Sequence, residues 1–204
     1  MSGADFVALW YRVQPQSGTV YGERPSIYGD AAADGRVRQI AEGRGYRLQP
    51  LSIEPRTNPA TLRNFERMAA AARLGGIDLY IVSGYRSADD QRTLFTERVA
   101  ERFGRPPTVE EVASGAADAA INQTLDQRSA PGYSRHHSGY VLDLNLLNDS
   151  FARTPAYRWL SENNYLNARS FGFIPSYPPG IQAGPRPEPW EFSYIADPFA
   201  IRPA

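Results

Sequence analysis

From Leu62 onward, apolar residues recur at helical spacing: Leu62, Phe65, Met68 and Ala72 fall on one side of a helix. Asn58-Pro59 supplies an N-cap followed by proline at the first helical position, and Gly75-Gly76 ends the segment. The run IDLYIV, residues 77–82, predicts a buried strand leading into SGYRS. The Ser87 to Asp90 pattern is that of a capping box, and the helix it opens carries Leu94, Phe95 and Val99 on one side before Gly104 and Pro106-Pro107 break it. Thr108 to Glu111 is a second capping-box pattern, opening an alanine-rich helix. Residues 130–139, APGYSRHHSG, read as loop. YVLDLNLL, residues 140–147, alternates as a strand does. Thr154-Pro155 starts another helix, with Trp159 and Leu160, and Phe171-Gly172-Phe173 closes it. A Pro- and Gly-rich loop over 175–189 then leads into a final short strand at EFSYI. Residues 1–50, rich in Gly, Tyr, Ser and Arg, read as an extension of short strands and loops, which leaves 51–204 as the main domain. Helices alternating with separated strands in this way predict an α+β domain with a mainly antiparallel sheet.

Composition narrows the function classes. The chain has 204 residues, enough for a sizeable core, with 42% hydrophobic residues. Its 22 basic and 22 acidic side chains cancel, which argues against nucleic-acid binding through bulk charge. There is no cysteine, so thiolate zinc sites, disulfides and a cysteine nucleophile are excluded. No apolar run is long enough for a transmembrane helix, and the first residues lack the pattern of a signal peptide. The expectation is a monomer that is cytosolic, exported by another route, or numbered after removal of a leader. His136 and His137 are the two histidines, and they are adjacent, so side chains pointing apart rarely share one ion. Any metal site must be completed by carboxylates.

Three stretches carry candidate chemistry. In SGYRS, Arg86 sits at a strand-to-helix junction, where its fork of donors suits a carboxylate or a developing oxyanion; the alternative is a surface arginine capping a turn. In SRHHSGYVLD, His136 and Asp143 lie seven residues apart across a glycine that permits a tight bend, so both can reach one ion; the alternative is a hydrogen-bonding loop with a solvated aspartate. In EPWEFSYI, Glu188 and Glu191 bracket Pro189 and Trp190. One carboxylate can bind a metal while the other accepts a proton from water; the alternative is an exposed edge strand with solvated acids.

Taken together, SGYRS-x3-Q-x2-LF, S-x-H-x2-G-x3-D and EPW-x3-Y resemble the zinc D-alanyl-D-alanine carboxypeptidases of the VanY type, which share a fold with VanX and the hedgehog signalling domain. Gln91, Leu94 and Phe95 match the tail of the first motif, and WLSENNYLNARSFGFIPSYP, residues 159–178, resembles the helix and Gly-Phe turn before the last. The resemblance covers about residues 57–196. It implies a hedgehog/DD-peptidase-like fold with helices on one side of the sheet. It implies His136 and Asp143 as metal ligands, Glu188 as the base that activates the attacking water, and Arg86 as the group that polarises the scissile carbonyl. Ser134, Gln91 and Trp190 would line the substrate site, and His137 would be a supporting loop residue. Two positions depart from the pattern: Glu191 stands where the family has its third ligand, a histidine, and Ser193 where it commonly has arginine.

A His136–Asp143–Glu191 set remains acceptable for zinc. Its extra carboxylate makes the ion a weaker Lewis acid and shifts preference toward harder ions such as manganese. The expected function is a metal-dependent peptidase acting on peptidoglycan stem peptides, as carboxypeptidase or endopeptidase, in a periplasmic, extracellular or wall-associated setting. The rival is a cell-wall or partner-binding module that binds no metal because Glu191, natural or introduced, is no ligand. A wall-lysing effector or phage-derived enzyme shares the first chemistry and differs in delivery.

Overall fold

The computed structural model describes residues 19–20, 24–52, 54–177 and 186–195. The sequence readings over 1–18, 21–23, 178–185 and 196–204 lie outside these residues. The described elements, in chain order, are β1 (Thr19–Val20), α1 (Ala31–Gly43), β2 (Leu51–Ser52), α2 (Pro59–Leu74), β3 (Ile81–Ser83), α3 (Ala88–Phe103), α4 (Val109–Ala113), α5 (Asp118–Leu125), β4 (Val141–Leu144), α6 (Pro155–Arg169), β5 (Phe173–Pro175) and β6 (Glu191–Tyr194). Two 3-10 turns, Arg135–Ser138 and Asp149–Arg153, flank β4.

The central sheet is antiparallel throughout, in the order β3-β4-β6-β5. Residues alternate between its two faces. Leu142, Leu144, Phe192 and Tyr194 point into a core shared with Phe65, Met68 and Ala72 of α2 and Leu160 and Ala168 of α6. Phe192 and Phe173 are fully buried there, each stabilising the fold by about 2–3 kcal/mol through burial of apolar area. The opposite face of β4 and β6 presents Asp143 and Glu191, which are register partners. Helices therefore cover one face of the sheet, and the candidate chemistry sits on the other.

A second core holds α1, α3, α4 and α5 together, through Val37, Ala41, Phe95, Val99, Val112, Ile121 and Leu125. Ion pairs Arg36–Asp118 and Arg44–Asp126 tie α1 to α5 and to the turn after it. The helix α1 differs from the short strands and loops expected for residues 1–50. Its N-cap is Asp30, which accepts from the Ala32 and Ala33 amides. Its buried side is Ala33, Val37 and Ala41, mostly small residues whose periodicity is faint in the sequence.

The caps at Asn58, Ser87, Thr108 and Thr154 open helices as the sequence predicts, with Thr108 and Glu111 forming a reciprocal capping box. Two strands are shorter than predicted, and one residue accounts for both. Asn145 has φ 56°, which ends β4 after Leu144. Its side-chain amide donates to the Asp78 carbonyl and accepts from the Tyr80 amide, and its own N–H bonds the Tyr80 carbonyl. A side chain thus occupies the backbone groups that a longer β3 would pair. The strand β5, which the sequence pattern does not announce, runs along a sheet edge, where its terminal Pro175 is tolerated.

Candidate active site

The three stretches meet at one cleft. Arg86, Gln91, Ser134, His136, Asp143, Glu188, Trp190 and Glu191 all line it, and its volume is about 300 Å3. The sequence reading missed Arg128, Asn148 and Arg186, which line it as well.

Backbone contacts between the SGYRS segment and the histidine turn build the floor. The His136 Nδ1 lies 2.6 Å from the Gly84 carbonyl oxygen, and His137 Nδ1 lies 2.8 Å from that of Arg86. The Arg86 amide returns a bond to the His136 carbonyl. On its other side Gly84 leaves room for Thr57 Oγ1, which accepts from the Tyr85 amide and which a Cβ at Gly84 would strike. Gly139 closes the turn with φ 76°, a left-handed conformation suited to glycine.

The two histidines then have different tasks. His137 is cross-braced: its Nε2 accepts from the Gly132 amide, so Nδ1 carries the proton and donates to Arg86. Burial, with the neighbouring His136 charge adding to it, pushes its pKa down to about 4. It stays neutral and holds the loop. His136, by contrast, uses Nδ1 for Gly84 and directs Nε2 at two carboxylates. Asp143 Oδ2 is 3.3 Å from Nε2, and Glu191 Oε2 is 3.5 Å from it.

This trio fits a divalent ion on several grounds. Each residue offers a ligand atom, and these atoms all lie within 4.8 Å of one another. Ligands at zinc's usual ~2.0–2.2 Å in a tetrahedral arrangement stand roughly 3.3–3.6 Å apart, which matches the spacing from Nε2 to each carboxylate. Asp143 and Glu191 are 4% and 3% exposed, yet among the described residues Asp143 Oδ1 has no hydrogen-bond partner, and Glu191 Oε1 has none closer than the Arg135 guanidinium at 3.6 Å. Buried carboxylate oxygens without donors are costly unless a cation serves them. The local field points the same way. Burial lowers the His136 pKa, but hydrogen bonds and charge from Asp143 and Glu191 outweigh it and raise the value to about 10. A pocket that draws in a proton this strongly favours a cation. The His136 Nδ1 bond to a backbone carbonyl is also the supporting contact by which a ligating imidazole is oriented.

Around this trio, Arg86 aims its guanidinium into the cleft from the end of β3. Its Nη1 donates to Gln91 Oε1 at 3.0 Å and its Nη2 to Ser83 Oγ at 3.3 Å. Gln91 Nε2 donates in turn to the Ser129 carbonyl, so Gln91 uses both ends of its amide to hold Arg86 against the loop after α5. Glu188 lies in the turn before β6, and its carbonyl accepts from the Glu191 amide. Burial first, then the charges of Glu191 and Asp143, push its carboxyl up to about 8, while His136 and Arg128 pull it back. The turn resolves the geometry of EPWE: Glu188 precedes the strand, so the two glutamates need not point to opposite faces.

The sequence profile of the VanY D-alanyl-D-alanine carboxypeptidase family matches residues 54–197. A D-alanyl-D-alanine carboxypeptidase of Enterococcus faecalis is 34% identical over 127 residues, covering 61% of this chain and 43% of that protein. One of Enterococcus faecium is 30% identical over 145 residues, covering 68% and 37%. The chain thus spans less than half the length of these two relatives. Among solved structures, it is similar to a vancomycin-resistance D,D-pentapeptidase VanY in complex with Zn(II), at 28% identity and a TM-score of 0.45, with 72% of this chain and 74% of that one covered.

Proposed function

The chain belongs to the VanY D-alanyl-D-alanine carboxypeptidase family, and on that premise we propose that it is a metal-dependent peptidase hydrolysing an amide at a D-amino acid of peptidoglycan stem peptides. One observation carries this reading: His136 Nε2 and the carboxylates of Asp143 and Glu191 converge in the same cleft as Arg86 and Glu188.

In this proposal His136, Asp143 and Glu191 hold the ion. A divalent ion there supplies Lewis acidity to the scissile carbonyl and makes water a better nucleophile. Zinc suits the imidazole, and the two carboxylates make manganese an acceptable alternative. Arg86 stands ready to donate to the oxygen of the scissile carbonyl as it gains negative charge, and its bonds to Gln91 and Ser83 fix the fork before substrate arrives. A cation held by Asp143 and Glu191 would offset the charges that help push the Glu188 carboxyl up to about 8, and the ionised Glu188 takes a proton from the attacking water. The water oxygen joins the carbonyl carbon, the carbon–nitrogen bond breaks, and Glu188 passes the proton to the leaving amine. Ser134 and Trp190 line the path of the peptide. Such a substrate places the protein at the cell wall, on the periplasmic or extracellular side.

The test is direct. The protein loaded with zinc is incubated with an N-acylated peptide ending in D-alanyl-D-alanine, and released D-alanine is measured by mass spectrometry. Release that stops on chelation and returns with metal supports the proposal. No cleavage of this peptide or of cross-linked muropeptides, at full metal occupancy, favours a binding module instead.

A further inference from the structure

Nothing in the sequence pattern marks Arg135, yet the fold places it against the residue that departs most from the family. It precedes His136 on the 3-10 turn, and its side chain is 16% exposed. Its Nη1 lies 3.6 Å from Glu191 Oε1, and its guanidinium stacks over the Tyr177 ring at 4.3 Å from the centroid. Glu191 therefore stands between two cationic directions: Oε1 toward Arg135, Oε2 toward His136 at 3.5 Å.

A charge count gives this arrangement meaning. A divalent ion held by two neutral imidazoles and one carboxylate keeps one net positive charge. Exchanging one imidazole for a carboxylate brings the set to zero. A guanidinium beside that carboxylate adds the positive charge back. Without an ion, the same guanidinium sets a positive charge against the buried Glu191 carboxylate on the side away from His136.

We propose that Arg135 is the counter-charge to Glu191: a positioning residue that engages Oε1, leaves Oε2 for the ion, and returns the site to the net charge of a His–Asp–His set. The ion's part in this rests on the metal-site reading above. The pairing itself acts in the metal-free protein and is tested there.

The experiment is thermal unfolding of the chelator-treated protein at neutral pH, as a double-mutant cycle of Arg135→Gln with Glu191→His, and with Arg135→Lys beside it. Removing one partner of a buried ion pair leaves an uncompensated charge, so Arg135→Gln lowers the Tm by roughly 5 °C or more in the parent. Arg135→Lys, which keeps the charge, recovers most of that drop. In the Glu191→His background the sign changes: Arg135→Gln leaves the Tm unchanged or raises it, because the guanidinium no longer has a carboxylate to neutralise. Equal drops in both backgrounds, or none in the parent, overturn the proposal by showing a packing role on Tyr177 or no role. If Arg135→Gln fails to fold only beside Glu191, the proposal stands; if it fails in both backgrounds, it falls. Adding zinc then raises the Tm more in Arg135→Gln than in the parent, since the ion replaces the missing charge. A zinc effect in none of the variants contradicts the metal-site reading, while the sign of the cycle still decides the pairing.

Discussion

Asp143 and Glu191 are register partners across β4 and β6, so a strand pair sets the separation of two buried carboxylates. The third member of the trio, His136, comes from a turn that is clamped to the end of β3 through the Gly84 and Arg86 carbonyls.

Arg86→Ala removes the one guanidinium that Gln91 and Ser83 hold toward the cleft. Losing a preorganised oxyanion donor costs about 10²–10³ in kcat. Metal content should change little, and Tm should fall only modestly, because Arg86 is partly exposed but its loss leaves the buried Gln91 Oε1 without that donor. A variant that turns over normally assigns oxyanion stabilisation to another group.

Glu188→Gln keeps the size of the side chain and removes the proton acceptor. The expected loss is roughly 10²–10⁴ in rate, in a protein that still binds zinc with the parent's stoichiometry. Single-turnover kinetics on a muropeptide separate this from weakened binding. Full activity in the variant places the base elsewhere.

His137 carries no chemistry in this account and should act on stability. Replacing it with Gln loosens its bonds to the Arg86 carbonyl and the Gly132 amide, at about 2–3 kcal/mol for two buried hydrogen bonds. Its pKa, down from 6.5 to about 4 through burial, also gives a pH signature. Between those values the unfolded chain binds the proton and the folded one does not, so stability falls as pH drops from about 6.5 toward 4. The full contribution is roughly 3 kcal/mol. Denaturant unfolding across this range should show the loss in the parent and not in His137→Gln. Parallel profiles would mean that other groups govern the acid response.

Local chemistry made much of the fold legible. The caps at Asn58, Ser87, Thr108 and Thr154 are side chains bonding the backbone a few residues on, and such short-range bonds survive any tertiary context. The helix α1 was not legible, because its buried Ala33 and Ala41 carry little hydrophobic signal and its packing partners lie on α4 and α5. The ends of β3 and β4 depend on Asn145 bonding across to residues 78 and 80, a contact that no spacing rule along the chain reveals. At the site, residues inside compact motifs could be named from the sequence. Arg135 could not, because its meaning lies in Glu191 and Tyr177, far along the chain. Gln91 was legible as a cleft residue, though its bracing of Arg86 against Ser129 needed the fold.

The measurement closest to the central claim is a zinc titration of metal-stripped protein by calorimetry, with Glu191→Ala and Glu191→His beside the parent. If His136, Asp143 and Glu191 are the ligands, the parent binds about one equivalent, Glu191→Ala binds much more weakly, and Glu191→His binds more tightly, because imidazole is the better zinc donor. Equal affinity in all three would remove Glu191 from the ion. Binding by the histidine variant alone would contradict the account outright, leaving the natural chain with a site that holds no metal.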